Sequence, residues 1–387
     1  MDINELKNLV RAGHFRAITL DTSIFDAQGL RLESGLLKQL EQFRDSSTRL
    51  ILSEVVKEEI LSHLTEKARE AQKEIEKSLK QAKEYWRVEE QEIEVIKKTI
   101  FGEYKAQEIA SERFNNFVEF TSLDIVEAQD YVIVGDLIQK YFQAQPPFAE
   151  TGKKKNEFPD AISLMSLETW AKKNKTKIVV VTSDNDWINF CKGSERLIHI
   201  EDFAGALGLF QLKDADDICS YLSERYKNGE LEDVKEAISH ALEYKMSDID
   251  IYPEANSAYR YELEFTEVTF NGFEFKLLDF PNLIFRPVNF DDESLVVESK
   301  LDVDVNVECS FSFYVYDSID RDEVPMGSST ANIQTTLDVD ILVSFIGNLD
   351  KVGAEVEVED VEIEMTLPDV NFGEIEPDWM NEENYDY

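Results

Sequence analysis

Past residue 250 the hydrophobic pattern of this 387-residue chain changes period, and that change constrains the fold more than any other feature. Before it, short apolar runs alternate with stretches whose apolar residues recur every three or four positions, which is the signature of strands alternating with helices. After it, "YRYELEFTEVTFNGFEFKLLDF", "SLVVESKLDVDVNVECSFSFYVYD", "IQTTLDVDILVSFIG" and "VGAEVEVEDVEIEMTLP" alternate apolar with polar residues, the polar ones mainly acidic. Period-two alternation describes antiparallel strands with one wet face, and several such segments suggest a sandwich or a barrel. The chain is long enough for more than one core.

In the first half, "RAITLDT" reads as a buried strand ending at Asp21, "GLLKQLEQF" as a helix, "TRLILS" as a strand, and "SEVVKEEILSHL" as a helix capped by Ser53. The alternation resumes at "FPDAISLMSLETWAKKN", a helix with Pro159 in its first turn. The strand "KIVVVT", the helix-like "DWINFCK" and the strand "RLIHI" follow. This order implies a parallel sheet covered on both faces by helices. Between the two pieces, Ala68, Ala71, Ile75, Leu79, Ala82 and Trp86 step along one seam of a long helix, "FGEY" breaks it near Gly102, and Ser122 with Asp124 opens another helical stretch. The expected organisation is an α/β domain over residues 1–210 with a helical insertion at about 65–147, and a helical connector at 211–250. An acidic antiparallel β domain at 251–370 and an acidic tail at 371–387 complete it.

Charge separates the halves as sharply as period does. Of the net −40, residues 1–200 hold 29 Lys and Arg against 34 Asp and Glu, a net of −5, and residues 201–387 hold 11 against 46, a net of −35. A polyanion repels nucleic acid, so nucleic-acid chemistry belongs to the first half, and the acidic domain suits a basic protein partner, a shield for the cleft, or solubility alone. No run of eighteen apolar residues and no charged-then-apolar leader is present, so a cytoplasmic protein without a membrane segment is expected. Cys191, Cys219 and Cys309 are far apart and outside any CxxC spacing, which reads as reduced, buried thiols.

Ligands of an open parallel sheet bind at the C-terminal edges of its strands. Asp21 ends the first strand, Asp184 and Asp186 follow the strand at 178–182, Asp160 opens the helix before it, and Glu54, Glu58 and Glu59 lie in the first turns after the second strand. Singly each has an ordinary use: Asp21 before Thr22 could cap a helix, and Asp160, Glu54 and Glu58 could complement helix dipoles. Together they crowd one edge, where carboxylates repel unless a cation joins them, and hard oxygen ligands suit Mg²⁺ or Mn²⁺.

These residues carry a resemblance. "ITLDTSIF", "LILSEVVKEEI", "FPDAISLMSLETWA" and "VVVTSDNDW", in that order, are similar to the four acidic motifs of the PIN-domain nucleases, in the branch with a helical insertion after the second motif. The resemblance implies Asp21, Asp160 and Asp184 as catalytic metal ligands, Asp186 as a weaker ligand, and Glu59 as the second-motif acid, with Glu54 as the alternative register. It further implies hydrolysis of phosphodiester bonds, usually of RNA, by a metal-activated water, leaving a 5′-phosphate and a 3′-hydroxyl.

No G-x-G-x-x-G or P-loop competes, and His14, His63, His199 and His240 show neither ligand spacing nor a partner for general-base chemistry. Lys153, Lys154 and Lys155 either bind phosphates or form a plain lysine loop, Phe158, Trp187 and Phe190 either stack on bases or fill the core, and Glu168 reads as a partnered acid. The expected function is a metal-dependent endoribonuclease in the setting of a toxin or antiviral defence. The alternative is a catalytically weak PIN-like scaffold whose acidic domain recruits a basic protein.

Overall fold

The computed structural model describes residues 3–148, 158–278, 283–291, 293–319, 321–349, 353–365 and 368–381. The chain divides into two compact units, Met1–Phe210 and Gln211–Tyr387.

The first unit runs α1 (Ile3–Arg11), β1 (Phe15–Leu20), α2 (Thr22–Ala27), α3 (Gly35–Lys38) continuing as a 3₁₀ turn (Gln39–Phe43), β2 (Arg49–Ser53), α4 (Glu54–Trp86), α5 (Glu90–Phe101) and α6 (Ala106–Thr121). It continues with β3 (Asp124–Val126), α7 (Ala128–Tyr131), α8 (Val134–Phe142), α9 (Phe158–Lys173), β4 (Lys177–Val181), α10 (Asn185–Gly193), β5 (Leu197–Ile200) and α11 (Phe203–Gly208). The sheet order is β3-β2-β1-β4-β5, every pair parallel. Ala17, Ile18 and Leu20 of β1 and Ile178 to Val181 of β4 are fully buried, which is why these strands read as continuous apolar runs rather than alternating ones. The chain leaves β1 toward β2 on one side and returns as β4 on the other. The topological switch therefore lies between the C-terminal ends of β1 and β4.

The insertion departs from an all-helical arm. Asp124–Val126, expected to open a helix, is the edge strand β3, paired to β2 through Ile51–Asp124 and Leu52–Ile125. Its three residues are too short to show a period. Helix α6 buries Ala110, Phe114 and Phe117, the last edge-on to Phe25 of α2 with ring centroids 6.1 Å apart, so it covers the sheet domain itself. Only the distal part of α4 and α5 stand apart. Ser53 caps α4 by accepting from the Val56 amide at 3.2 Å, and Val56, Ile60 and Leu64 are buried at i, i+4 and i+8. Beyond Thr65 no α4 residue is buried, and Trp86, expected on the packed seam, is 84 % exposed.

The second unit contains α12 (Lys213–Lys227), α13 (Glu232–Met246), β6 (Tyr252–Asn256), β7 (Arg260–Phe275), β8 (Arg286–Phe290), β9 (Ser294–Asp317), β10 (Asp322–Asn348), β11 (Glu355–Glu364) and β12 (Asp369–Glu374), then a short helix Asp378–Asn381. A single antiparallel sheet, β11-β10-β9-β7 with β8 also on β9, replaces the expected sandwich or barrel. The 24-residue β9 pairs with β10 on one edge, and β8 and β7 share the other. Val303, Val305, Val307, Cys309, Phe311 and Phe313 point to a dry face, whereas Asp302, Asp304 and Glu308 between them do not.

Helices cover that dry face. Ile218, Cys219 and Leu222 of α12 and Val234, Ile238 and Leu242 of α13 join the core formed by the strands, so the segment expected as a connector completes it. β12 pairs in parallel with β6, which brings the start of the expected tail into the unit, and Trp379 donates its indole N–H to the Met326 carbonyl at 2.6 Å. Among the described residues no helix is long and apolar enough to cross a membrane.

Candidate functional site

The acids expected to meet at the sheet edge arrive on four different elements. Asp21 follows β1 and caps α2, and it is 6 % exposed. Its Oδ1 accepts from the Thr22 amide at 2.7 Å, and its Oδ2 from the hydroxyls of Ser23 (2.7 Å) and Thr182 (3.2 Å). The cap and the candidate ligand are thus the same residue. Asp184 caps α10 after β4, its Oδ1 accepting from the amides of Asp186 (2.7 Å) and Trp187 (3.1 Å). Thr182 ties the two strand ends together, because its Oγ donates to Asp21 and accepts from the Asp184 amide at 3.0 Å.

Asp160 comes from the first turn of α9, where its Oδ1 accepts the Trp187 indole N–H at 2.9 Å. Among the described residues no hydrogen bond is made to Oδ2 of Asp160 or to Oδ2 of Asp184. Each of these carboxylates is held by one oxygen.

Burial and neighbouring charge act on the same carboxyls. Burial raises the Asp21 carboxyl above its ordinary range, three hydrogen bonds oppose that, and the charge of Asp184 adds to it. Burial likewise raises Asp160, the Trp187 hydrogen bond opposes it, and the charges of Asp21, Asp184 and Asp186 raise it further. Among the described residues no three acidic, histidine or cysteine side chains already stand in metal-binding geometry. The donor set nevertheless fits a hard divalent cation: every group is a carboxylate, and the desolvation and mutual repulsion that raise Asp21 and Asp160 are what a cation between them relieves.

The second-motif acids separate cleanly. Glu59 accepts from the Thr22 hydroxyl at 2.5 Å, beside Asp21. Glu54 turns the other way and accepts from the Ala128 amide at the start of α7 at 3.0 Å. Glu168 is partnered by the Ser194 hydroxyl at 2.8 Å, away from the cluster.

The aromatic side chains near the cluster are packed. Trp187 is buried and orients Asp160, Phe158 stacks on Tyr141 at 5.0 Å, and Phe190 lies under the Lys140 ammonium at 5.5 Å. Lys153, Lys154 and Lys155 fall outside the described residues. The three cysteines are buried and form no disulfide among the described residues, and burial, with Glu168 adding to it, pushes the Cys191 thiol up to about 12, which disfavours the thiolate. Sequence reasoning missed the partner of His63: its Nδ1 lies 2.8 Å from Oδ1 of Asp26, 37 residues away in sequence.

Comparison with known families matches a PIN domain to residues 18–187, a span that contains Asp21, Glu59, Asp160, Asp184 and Asp186. No curated protein and no solved structure matches the chain significantly. PIN domains have a nuclease fold that is generally metal-dependent, and the match places a PIN domain over residues 18–187 of the first unit, which carries the five-stranded parallel sheet.

Proposed function

We propose that the chain is a divalent-metal-dependent endoribonuclease. The observation that carries the reading is the convergence of Asp21, Asp160 and Asp184 at the β1/β4 switch point, two of them with raised carboxyls. Asp21, Asp160 and Asp184 would hold the cation, Asp186 would assist them, and Glu59 would fix the Asp21 side through Thr22. A bound Mg²⁺ or Mn²⁺ would acidify a water and offset charge on the leaving oxygen.

The protein's own part is orientation. The Thr22 amide and the Ser23 and Thr182 hydroxyls lock Asp21, and the Trp187 indole and two α10 amides aim the remaining oxygens of Asp160 and Asp184. Hydrolysis adds water across the P–O3′ bond, the phosphate staying on the 5′ end of one fragment and the 3′-oxygen of the other taking a proton. Substrate enters through the first unit, whose net charge is small, because the second repels the phosphate backbone. A toxin or antiviral effector is the setting that suits such a nuclease joined to an anionic unit.

Incubation of end-labelled single-stranded RNA with the protein and Mn²⁺ tests this reading. Cleavage is expected, with products ending in 3′-hydroxyl, and it should stop with a chelator and in Asp21→Asn and Asp184→Asn variants. Cleavage that persists in both variants places the activity elsewhere.

A further inference from the structure

Helices α2 and α4 are tied by two successive side-chain bonds. Thr22 on α2 donates to Glu59 on α4, and one turn further along both helices Asp26 meets His63. The first bond sits beside Asp21, and the second lies four residues on, about 6 Å along a helix. A carboxylate facing Nδ1 favours the tautomer that donates from Nδ1, and in that tautomer the Nε2 of a neutral ring is a hydrogen-bond acceptor. The ring is 40 % exposed and Asp26 45 %, and an exposed pair of this kind adds little to stability. Fold stability therefore does not explain why the ring is oriented one turn from the acids.

The chemistry of the substrate supplies an explanation. Phosphate oxygens are acceptors and offer nothing to Nε2, whereas the ribose 2′-hydroxyl is a donor that DNA lacks. A displacement of one helical turn from the cluster corresponds to about one or two nucleotide steps at the rise of a stacked strand.

We propose that His63, positioned by Asp26, reads ribose, its Nε2 accepting a hydrogen bond from the 2′-hydroxyl of a nucleotide flanking the scissile phosphate. The inference rests on the nuclease reading and deepens it by assigning RNA selectivity to a named pair. His63 touches the substrate, and Asp26 acts through it by holding the tautomer.

The test measures kcat/KM with Mn²⁺ on an RNA, on the DNA of the same sequence, and on RNAs carrying one 2′-deoxy substitution at each position in turn. For the unaltered protein one flanking deoxy position should lower kcat/KM about tenfold, the effect of a single lost hydrogen bond. His63→Ala and Asp26→Asn should each reduce the RNA-to-DNA ratio by a similar factor and abolish sensitivity to that position. The double variant should lose no more than either single one. Equal loss on RNA and DNA, or an unchanged ratio with the deoxy-sensitive position retained, overturns the assignment while the nuclease stands. An unaltered protein inert on both polymers overturns the nuclease reading and this inference with it. Because both side chains are exposed, melting temperatures close to the parent's separate a loss of contact from a loss of fold.

Discussion

The two units treat acidic residues in opposite ways. The sheet of the second unit carries its acids on every other residue of long strands, on a face that reaches water: Asp304 is exposed and shares a hydrogen bond with Thr336 at 2.7 Å. The first unit has far less excess charge, yet it desolvates Asp21 and Asp160 and aims them, with Asp184, at one switch point. Water stabilises a charge wherever it is exposed, so an acidic strand face needs no partner. A carboxylate taken out of water and set among other carboxylates is held there against its own electrostatics, and that makes the cluster a candidate site. Burial and convergence, rather than the number of acids, single out the candidate site.

The largest effect should come from exchanging one acid of each kind. Asp160→Asn preserves the shape of the side chain and an oxygen for the Trp187 indole, but it removes a charge from the cluster, and RNA cleavage with Mn²⁺ should fall at least about a hundredfold. Asp304→Asn removes one charge from the wet sheet face, and cleavage should remain at the parental rate, with stability within about 0.5 kcal/mol. Equal losses in the two variants would show that the second unit's charge takes part in the reaction and would erase the contrast.

Stability against pH sharpens the same contrast within the first unit. The folded values of Asp21 and Asp160 lie above their unfolded values, so with a chelator present their ionisation opposes folding at neutral pH. That opposition is relieved as pH falls through the raised values, where the folded state binds protons first. Glu33 is the reverse case. The Arg113 guanidinium, bonded to it at 2.8 and 2.6 Å, lowers its carboxyl, so its contribution is present above the unfolded value and lost as pH falls through the depressed folded one. Metal-free Asp160→Asn should therefore melt higher than the parent at neutral pH, and Glu33→Gln lower. The gain in Asp160→Asn should disappear as the pH is taken into the carboxylate range. Thermal melts of the two variants at neutral and acidic pH check both signs. Added Mg²⁺ should raise the melting temperature of the parent more than that of Asp160→Asn.

Much of this was legible in the sequence because it is written in local pattern. The β-branched run before Thr182 and the apolar run before Asp21 announce buried strands, and an acid after each is visible without a structure. β3 was illegible because three residues carry no period, and its pairing to β2 is a tertiary fact. In the second unit the alternation recorded one wet face and was silent about what covers the other. Helices preceding the sheet cover it, so a second sheet was expected where α12 and α13 lie. Trp187 read as a core residue more readily than as a base-stacking ring, and only the position of Asp160 reveals that its indole N–H holds that carboxylate. The Asp26–His63 pair joins residues 37 apart, beyond any periodic reading of one helix.

The finest comparison lies inside a single helix. Glu54 and Glu59 are five residues apart at the start of α4, and the motif alone admits either as the site acid. Their hydrogen bonds divide the roles, since Glu54 holds the first amide of α7 and Glu59 receives the Thr22 hydroxyl next to Asp21. Glu59→Gln keeps an oxygen for that hydroxyl but removes the charge beside the cluster, and a supporting group of this kind is worth about ten- to a hundredfold in activity or metal affinity. Glu54→Gln should leave cleavage intact and lower stability by about 1 kcal/mol, the value of an anion at a helix N-terminus. Titrating Mn²⁺ against cleavage rate separates the two, because only Glu59→Gln should need more metal for half-maximal rate. The reverse result would move the second-motif acid to Glu54 and require α7 to give up its contact when metal binds.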